Sequence, residues 1–315
     1  IKARARGRVI DTGYHSETPP SDQLGGCMAL FKFVSPTTTE EAVQALSSAG
    51  ARALGGGTDL LVQLKSGRSA PDSIVDLKKI AGLIGIREEA GAFVIGASTS
   101  GAEIGEHEHL SQSWPGVVEA ANLIGSTQVQ GRASLAGNLC NASPAADSVP
   151  ALIAARAVCV VLGPNGKREI PAEAIAVSPG RNCLAPGEFV LEIRLPPRPA
   201  RSGDAYLRMI PRTEMDIAVV GAGVSLSLDA SGVVETAHVA LGAVAPTALL
   251  VEPAGAALVG TRLDPAALAK LESAARAACK PISDRRGTIE YRTQIAGVLA
   301  RRAALIAYQR AGEKA

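Results

Sequence analysis

A two-part α+β chain is predicted by three observations. Residues 31–99 alternate strand and helix patterns. The stretch PPRPARSG (196–203) then breaks the composition like a linker. Beyond it, long strand patterns come first and amphipathic helices afterwards. The first part therefore reads as α/β with buried strands, and the second as α+β with a small antiparallel sheet.

FKFVSP (31–36) reads as a short strand ending at a proline. TTTEEAVQALSSAG (37–50) reads as a helix, with Thr at its start, Glu40 and Glu41 in the first turn and Gly50 as a stop. ARAL (51–54), SIVDL (73–77) and AFVIGAST (92–99) return as strands. EIGEHEHLSQSWPGVVEAANLIG (103–125) looks helical in two pieces, broken at Pro115. Its His107 and His109 lie in an acidic polar stretch, which reads as a solvated helix face or, with no third ligand nearby, as an incomplete metal site. VCVVLGPNGKREI (158–170) is a hairpin pattern around Pro-Asn-Gly, and EFVLEIRLPP (188–197) is a strand closed by prolines. Residues 216–244 read as two long strands around the turn Asp229–Gly232. Residues 264–279 and 285–310 read as helices, whose alanine richness is read as helix propensity.

Composition narrows the function. The 315 residues are 47% hydrophobic and only 3% aromatic, with a net charge of +2. Such a balance offers neither the stacking platforms nor the basic footprint of a nucleic-acid binder. Cys27, Cys140, Cys159, Cys183 and Cys279 are odd in number, scattered, and form no C-x-x-C pair. That argues against a disulfide framework and a zinc or iron–sulfur site, and suits a reducing cytoplasm. No apolar run approaches the roughly 18–20 residues needed to cross a bilayer. Residues 1–27 are basic and then polar, without the apolar core of a secretory signal, and read as an extension.

Two glycine elements carry the chemistry. In ALGGGTDLLVQL (53–64), Gly55, Gly56 and Gly57 demand bare backbone. A strand-to-helix turn needing positive φ explains that, and so does an anion cradle in which N–H groups converge on a phosphate. SLAGNLCNASPAAD (134–147) is the second element, offering short hydrogen-bonding side chains at Ser134, Asn138 and Ser143 and one carboxylate at Asp147. Neither matches the P-loop or the G-x-G-x-x-G spacing, which disfavours an NTPase and a Rossmann dehydrogenase. Two such loops fit a dinucleotide diphosphate pinched between them, or else are two unrelated turns.

Five elements in the same order resemble one family. MALFKFVSPTTTEEAVQAL (28–46), LGGGTDLL (54–61), SLAGNLCNASPAAD, YLRMIPRTEMDIAVVG (206–221) and SDRRGTIEYRTQIAGVLARRAAL (283–305) are similar to motifs of the FAD-binding medium subunits of the molybdenum hydroxylases. That group includes the xanthine, carbon monoxide, nicotine and aldehyde dehydrogenases. The resemblance covers about residues 28–310.

It implies a vanillyl-alcohol-oxidase-like FAD-binding domain over 28–200, with subdomains of about 28–85 and 86–200, and a C-terminal domain over 205–315. It implies an electron-transfer oxidoreductase. Electrons would come from a large molybdenum-cofactor subunit through the [2Fe–2S] clusters of a small subunit, reach FAD here, and pass to NAD or another acceptor. The assembly implied is a dimer of heterotrimers. The resemblance places Leu54, Gly55, Gly56, Gly57, Thr58, Asp59 and Leu60 around the FAD diphosphate, and Ser134, Gly137, Asn138 and Ser143 in the second half of the cradle. Asp147 falls at the adenosine ribose. Arg208 falls at the flavin pyrimidine edge, or else in a surface salt bridge. No catalytic acid, base, nucleophile or metal ligand is implied. Ala136 stands where the family usually has Gly, and Leu207, Met209 and Ile210 make their segment unusually apolar. Residues 1–27 have no counterpart in the family pattern. A stand-alone flavin alcohol oxidase and a flavin-free scaffold are the rival readings.

Overall fold

Thr38 starts the first helix. Its side chain accepts from the Glu41 N–H while the Glu41 carboxylate accepts from the Thr38 N–H. This capping box satisfies donors that the first turn leaves without partners. The computed structural model describes residues 31–313, so the expected extension over 1–27, with Cys27, lies outside the described residues.

The first elements are β1 (Lys32–Val34), α1 (Thr39–Leu46), β2 (Ala51–Leu54), α2 (Leu60–Lys65) and β3 (Ser73–Asp76). Both outer strands pair parallel to β3, giving the order β1-β3-β2. Within this sheet the expectation of buried strands holds fully only for the central one. Ile74 and Val75 of β3 are buried, whereas Phe33 on β1 and Arg52 on β2 are exposed.

A second sheet is antiparallel. β4 (Ile86–Glu89) and β5 (Ala92–Gly96) form a hairpin. Six short helices follow: α3 (Gly101–Glu106), α4 (Glu108–Ser113), α5 (Pro115–Ala121), α6 (Thr127–Gln130), α7 (Leu135–Cys140) and α8 (Ser148–Ala154). Then come β6 (Val158–Gly163), β7 (Gly166–Pro171), α9 (Ala172–Ile175), the small pair β8 (Ala176–Ser178) and β9 (Arg181–Asn182), and β10 (Phe189–Leu195). The order is β4-β5-β10-β6-β7. The last strand in sequence is central in space, which explains its apolar run. The outer strands carry Arg87, Glu88, Glu89, Lys167, Arg168 and Glu169, charges that guard unpaired edges.

Residues 103–125 were expected to break only at Pro115, but they break twice. His107 ends α3 and caps α4, its Nδ1 accepting from the Leu110 N–H, and packs edge-on to Phe93. Trp114 ends α4, and Pro115 takes the first position of α5, where its missing N–H does no harm. His109 pairs with Glu88 at 3.1 Å.

The C-terminal part contains β11 (Ser202–Met209), β12 (Val220–Leu228), β13 (Val234–Gly242), β14 (Leu249–Leu250), α10 (Glu252–Ala256), α11 (Pro265–Ala278) and α12 (Ile289–Glu313). The strands form one antiparallel sheet in sequence order. β11 begins inside the expected linker, so 196–203 is shorter as a connection than its composition suggests. The alanines of α12 do more than favour a helix. Ala296, Ala300, Ala303, Ala304, Ala307 and Ala311 are all buried in one core. They let α12 press onto β11 so closely that a Cβ on Gly203 would lie 1.9 Å from the Ala307 carbonyl oxygen. A separate core fills the region before residue 200, and Tyr206, Ala240 and Ala248 join it from the C-terminal part.

Candidate functional site

The three glycines answer to three different constraints. Gly57 has φ +80°, where a side chain is strained. Gly56 crosses the approach to the second glycine element: a Cβ there would fall 1.7 Å from the Arg132 carbonyl oxygen. Gly55 has neither problem, since its Cβ would meet only Ser134 Oγ at 3.5 Å. The turn needing positive φ is therefore present at Gly57. Gly57 makes a turn, Gly56 lets two backbones touch, and Gly55 leaves open space.

The loop is held from below. Lys78 Nζ donates to the Gly55 carbonyl at 3.0 Å and also reaches Asp76. Among the described residues, the main-chain N–H groups of Gly56, Gly57 and Thr58 donate to no protein acceptor. Those donors are free for an anionic ligand.

Ser134 caps α7, accepting from the Gly137 N–H at 3.1 Å. Ala136 lies in the first turn of that helix, so alanine replaces the family's usual glycine without strain. Asn138 Oδ1 accepts from the Ser148 N–H and hydroxyl at 3.2 and 2.7 Å. Gln63 of α2 donates to Asn141 at 2.9 Å and ties the two glycine elements together.

Between them runs a cleft of about 830 Å³, the size of a cofactor site. Leu54–Leu60, Ser134, Gly137 and Asn138 all line it. Leu77, Ala97, Ile124, Phe189 and Val190 supply an apolar stretch of wall; the Ala97 N–H donates to the Leu191 carbonyl, which brings the β5 loop beside β10. Arg52, Arg68 and Asn182 add polar groups. Burial raises the Asp59 carboxyl above its ordinary pKa. Cys140 also lines the cleft, and burial, with Cys183 nearby, pushes its thiol up to about 12, so it is protonated at neutral pH. A smaller depression of about 350 Å³ at Glu88, His109, Trp114 and Arg198 shares no lining residue with this cleft.

Three expected site residues do not line the cleft. Ser143 closes a local turn, accepting from the Ala145 N–H at 3.3 Å. Asp147 and Arg208 pair with each other at 2.8 Å, both largely buried, and Arg208 also donates to the Leu123 carbonyl. The pair lies beside Leu123, next to cleft-lining Ile124, and its burial excludes a surface bridge for Arg208. Burial pushes the Asp147 carboxyl up to about 6 despite the opposing Arg208 charge.

The sequence reading missed Lys78, Ala97, Ser98, Asn182 and the wall residues 184–190. None sits in a glycine-rich signature. Only the Pro186-Gly187 turn before β10 marked that wall.

Residues 29–198 match the family described as the FAD binding domain in molybdopterin dehydrogenase, and residues 205–307 match the CO dehydrogenase flavoprotein C-terminal domain. The chain is similar to the carbon monoxide dehydrogenase medium chain of Afipia carboxidovorans, at 37% identity over 87% of this chain and 95% of that one. It is similar to a putative xanthine dehydrogenase FAD-binding subunit of Escherichia coli, at 28% identity over 84% and 91%. Among solved structures, reconstituted CO dehydrogenase from Oligotropha carboxidovorans superposes with a TM-score of 0.86 at 35% identity, covering 89% of this chain and 98% of that one. Quinoline 2-oxidoreductase from Pseudomonas putida 86 gives 0.82 at 27% identity, covering 90% and 98%.

Proposed function

The chain belongs to the family of FAD-binding medium subunits of molybdopterin dehydrogenases, and from that premise we propose that it is the flavin subunit of a molybdenum hydroxylase complex that passes electrons from [2Fe–2S] clusters to NAD or another acceptor. Its partners in this reading are a large molybdenum-cofactor subunit and a small iron–sulfur subunit, arranged as a dimer of heterotrimers in the cytoplasm. The chain divides into an FAD-binding domain over 28–200 and a C-terminal domain from 205.

One observation carries the reading. Two glycine turns far apart in sequence meet backbone to backbone at Gly56 and Arg132, beside unpaired N–H groups and a cleft of about 830 Å³. FAD, when bound, supplies the capacity to take up electrons singly and release them in pairs. The residues present fit it. The free N–H groups of Gly56, Gly57 and Thr58 hold the diphosphate without a cationic side chain. Gly55 leaves room for it, and Lys78 fixes the loop through the Gly55 carbonyl. Ser134, Gly137 and Asn138 form the opposite wall.

The apolar stretch at Ala97, Ile124, Phe189 and Val190 accepts the flat ring system and excludes water from it. Arg208 and Asp147 stand behind that wall through Leu123. The Asp147 carboxylate offsets the Arg208 charge there, so the pair brings little net charge to the ring. No helix of the described residues is long and apolar enough to cross a membrane.

Purification with the neighbouring gene products tests the proposal. The expected result is a yellow chain, its colour due to FAD, that co-elutes with molybdenum and [2Fe–2S] subunits. A colourless chain that takes up no added FAD would overturn it. A yellow chain that elutes alone and oxidises an alcohol would point to the stand-alone oxidase.

A further inference from the structure

Ser98 and Thr99 stand side by side after β5, and their hydroxyls are treated very differently. Thr99 is fully buried and doubly bonded: Oγ1 donates to the Gly85 carbonyl and accepts from the Gly85 N–H, both at 3.0 Å. Ser98 is 7% exposed, and its buried Oγ has no hydrogen-bond partner. The Ser98 main chain is anchored, its N–H donating to the Leu83 carbonyl at 2.7 Å. Ser98 lines the cleft, next to Ala97 and on the same wall as Ile124 and Val190.

A buried hydroxyl without a partner is destabilising, and folded proteins rarely keep one. Alanine would fill the same space at no such penalty. The Ser98 Oγ is closed to solvent, so a turn about χ1 brings the hydroxyl to the cleft, where a ligand carrying acceptor atoms gives it a partner. The flavin ring system is flat, suits the neighbouring apolar side chains, and bears nitrogen and oxygen acceptors at its edge.

We propose that the Ser98 hydroxyl donates a hydrogen bond to an acceptor atom of the flavin ring, and so both anchors the ring and raises its reduction potential. This rests on the FAD-binding reading above. Reduction makes the ring's heteroatoms richer in electrons, so the bond is stronger in the reduced form. Ser98 is then a positioning and tuning residue that takes no proton.

Two properties should move in opposite directions, which a merely structural serine would not produce. Full-length chain, wild type and Ser98→Ala, is stripped of flavin and compared by thermal unfolding and FAD fluorescence titration, and then, with FAD restored, by midpoint potential. Expected for Ser98→Ala are an apo-protein at least as heat-stable as wild type, FAD binding weaker by roughly five- to tenfold, and a more negative potential. Ser98→Thr keeps the hydroxyl and should restore the potential towards the wild-type value. Wild-type affinity and potential in Ser98→Ala would overturn the proposal, as would a clearly less stable apo-protein, which would mean the hydroxyl has a structural partner. Failure of wild type to bind FAD is a separate result that strikes the functional reading itself.

Discussion

Arg208 and Asp147 are 61 residues apart in the chain and 2.8 Å apart in the fold, Nη1 of the arginine donating to Oδ2 of the aspartate. The contact joins β11 to the end of the second glycine element. Tyr206 lies against the same carboxylate, and burial carries its phenol well above the ordinary tyrosine pKa.

The pair gives stability a pH dependence of definite sign. Burial holds the folded Asp147 carboxyl at about 6, above the ordinary 3.8. Between those values the folded chain binds more protons than the unfolded one, so this group's contribution falls as pH rises through the window and levels off above 6. From pH 4.5 to 7, the stability of wild type relative to Asp147→Asn should fall by about 2 kcal/mol. Urea unfolding of both proteins at the two pH values measures this. An unchanged difference would mean the carboxylate is already ionised at pH 4.5.

The glycine triplet separates folding from binding. Gly56→Ala puts a methyl into the Arg132 carbonyl, so the loops must part. Such overpacking costs about 1–3 kcal/mol, and FAD uptake should be lost with it. Gly55→Ala meets only Ser134 Oγ at ordinary contact distance. Its melting temperature should stay within about 1 °C of wild type, a shift worth about 0.5 kcal/mol, while FAD affinity drops at least tenfold. Calorimetry and fluorescence titration distinguish the two variants. Equal loss of stability in both would dismiss the idea that Gly55 is bare for the ligand.

Much of this was legible in the sequence because the signals were local. Thr38 with Glu41 announced α1, Pro164-Asn165-Gly166 announced the β6–β7 hairpin, and the triplet at 55–57 announced the site. What escaped depends on contacts between distant segments. No periodicity reveals that Arg132 presses on Gly56, that Ser98 lines the cleft, or that Arg208 turns inward to Asp147. The short helices α2, α6 and α7 are four to six residues long, too short for an apolar stripe to show. Alanines on α12 looked like propensity, and only the approach of Gly203 to Ala307 shows them as spacers.

Lys78 supports the cradle without lining it. Removing its bond to the Gly55 carbonyl frees the loop to move, and Lys78→Met should weaken FAD binding by roughly tenfold, equivalent to about 1.4 kcal/mol. Lys78→Arg, which keeps a donor and a charge, should recover part of that loss. The fluorescence titration that reads Gly55→Ala serves here too. Identical affinity in Lys78→Met and wild type would show that the loop holds its shape unaided.

Arg198 and Asp204 form a second buried pair that involves none of the cleft. Nη1 of Arg198 donates to Asp204 Oδ1 at 2.7 Å and to the Ser113 carbonyl, while the guanidinium lies 4.2 Å from the centre of the Trp114 ring. Asp204 also accepts from the Val117 N–H at 3.3 Å. The pair thus fixes the connection after β10 against α5 and the start of β11. Burial raises the Asp204 carboxyl, and the nearby Arg198 charge opposes that rise. Removing the arginine alone strands a carboxylate in the interior, so Arg198→Met should destabilise the chain by about 3–5 kcal/mol. Adding Asp204→Asn removes the stranded charge, so the double variant should be clearly more stable than the sum of the single changes implies. FAD affinity in every folded variant should match wild type, because the pair contributes no cleft residue. Urea unfolding of the four proteins gives the coupling. Strict additivity would mean that the Trp114 face, and not the carboxylate, holds Arg198 in place.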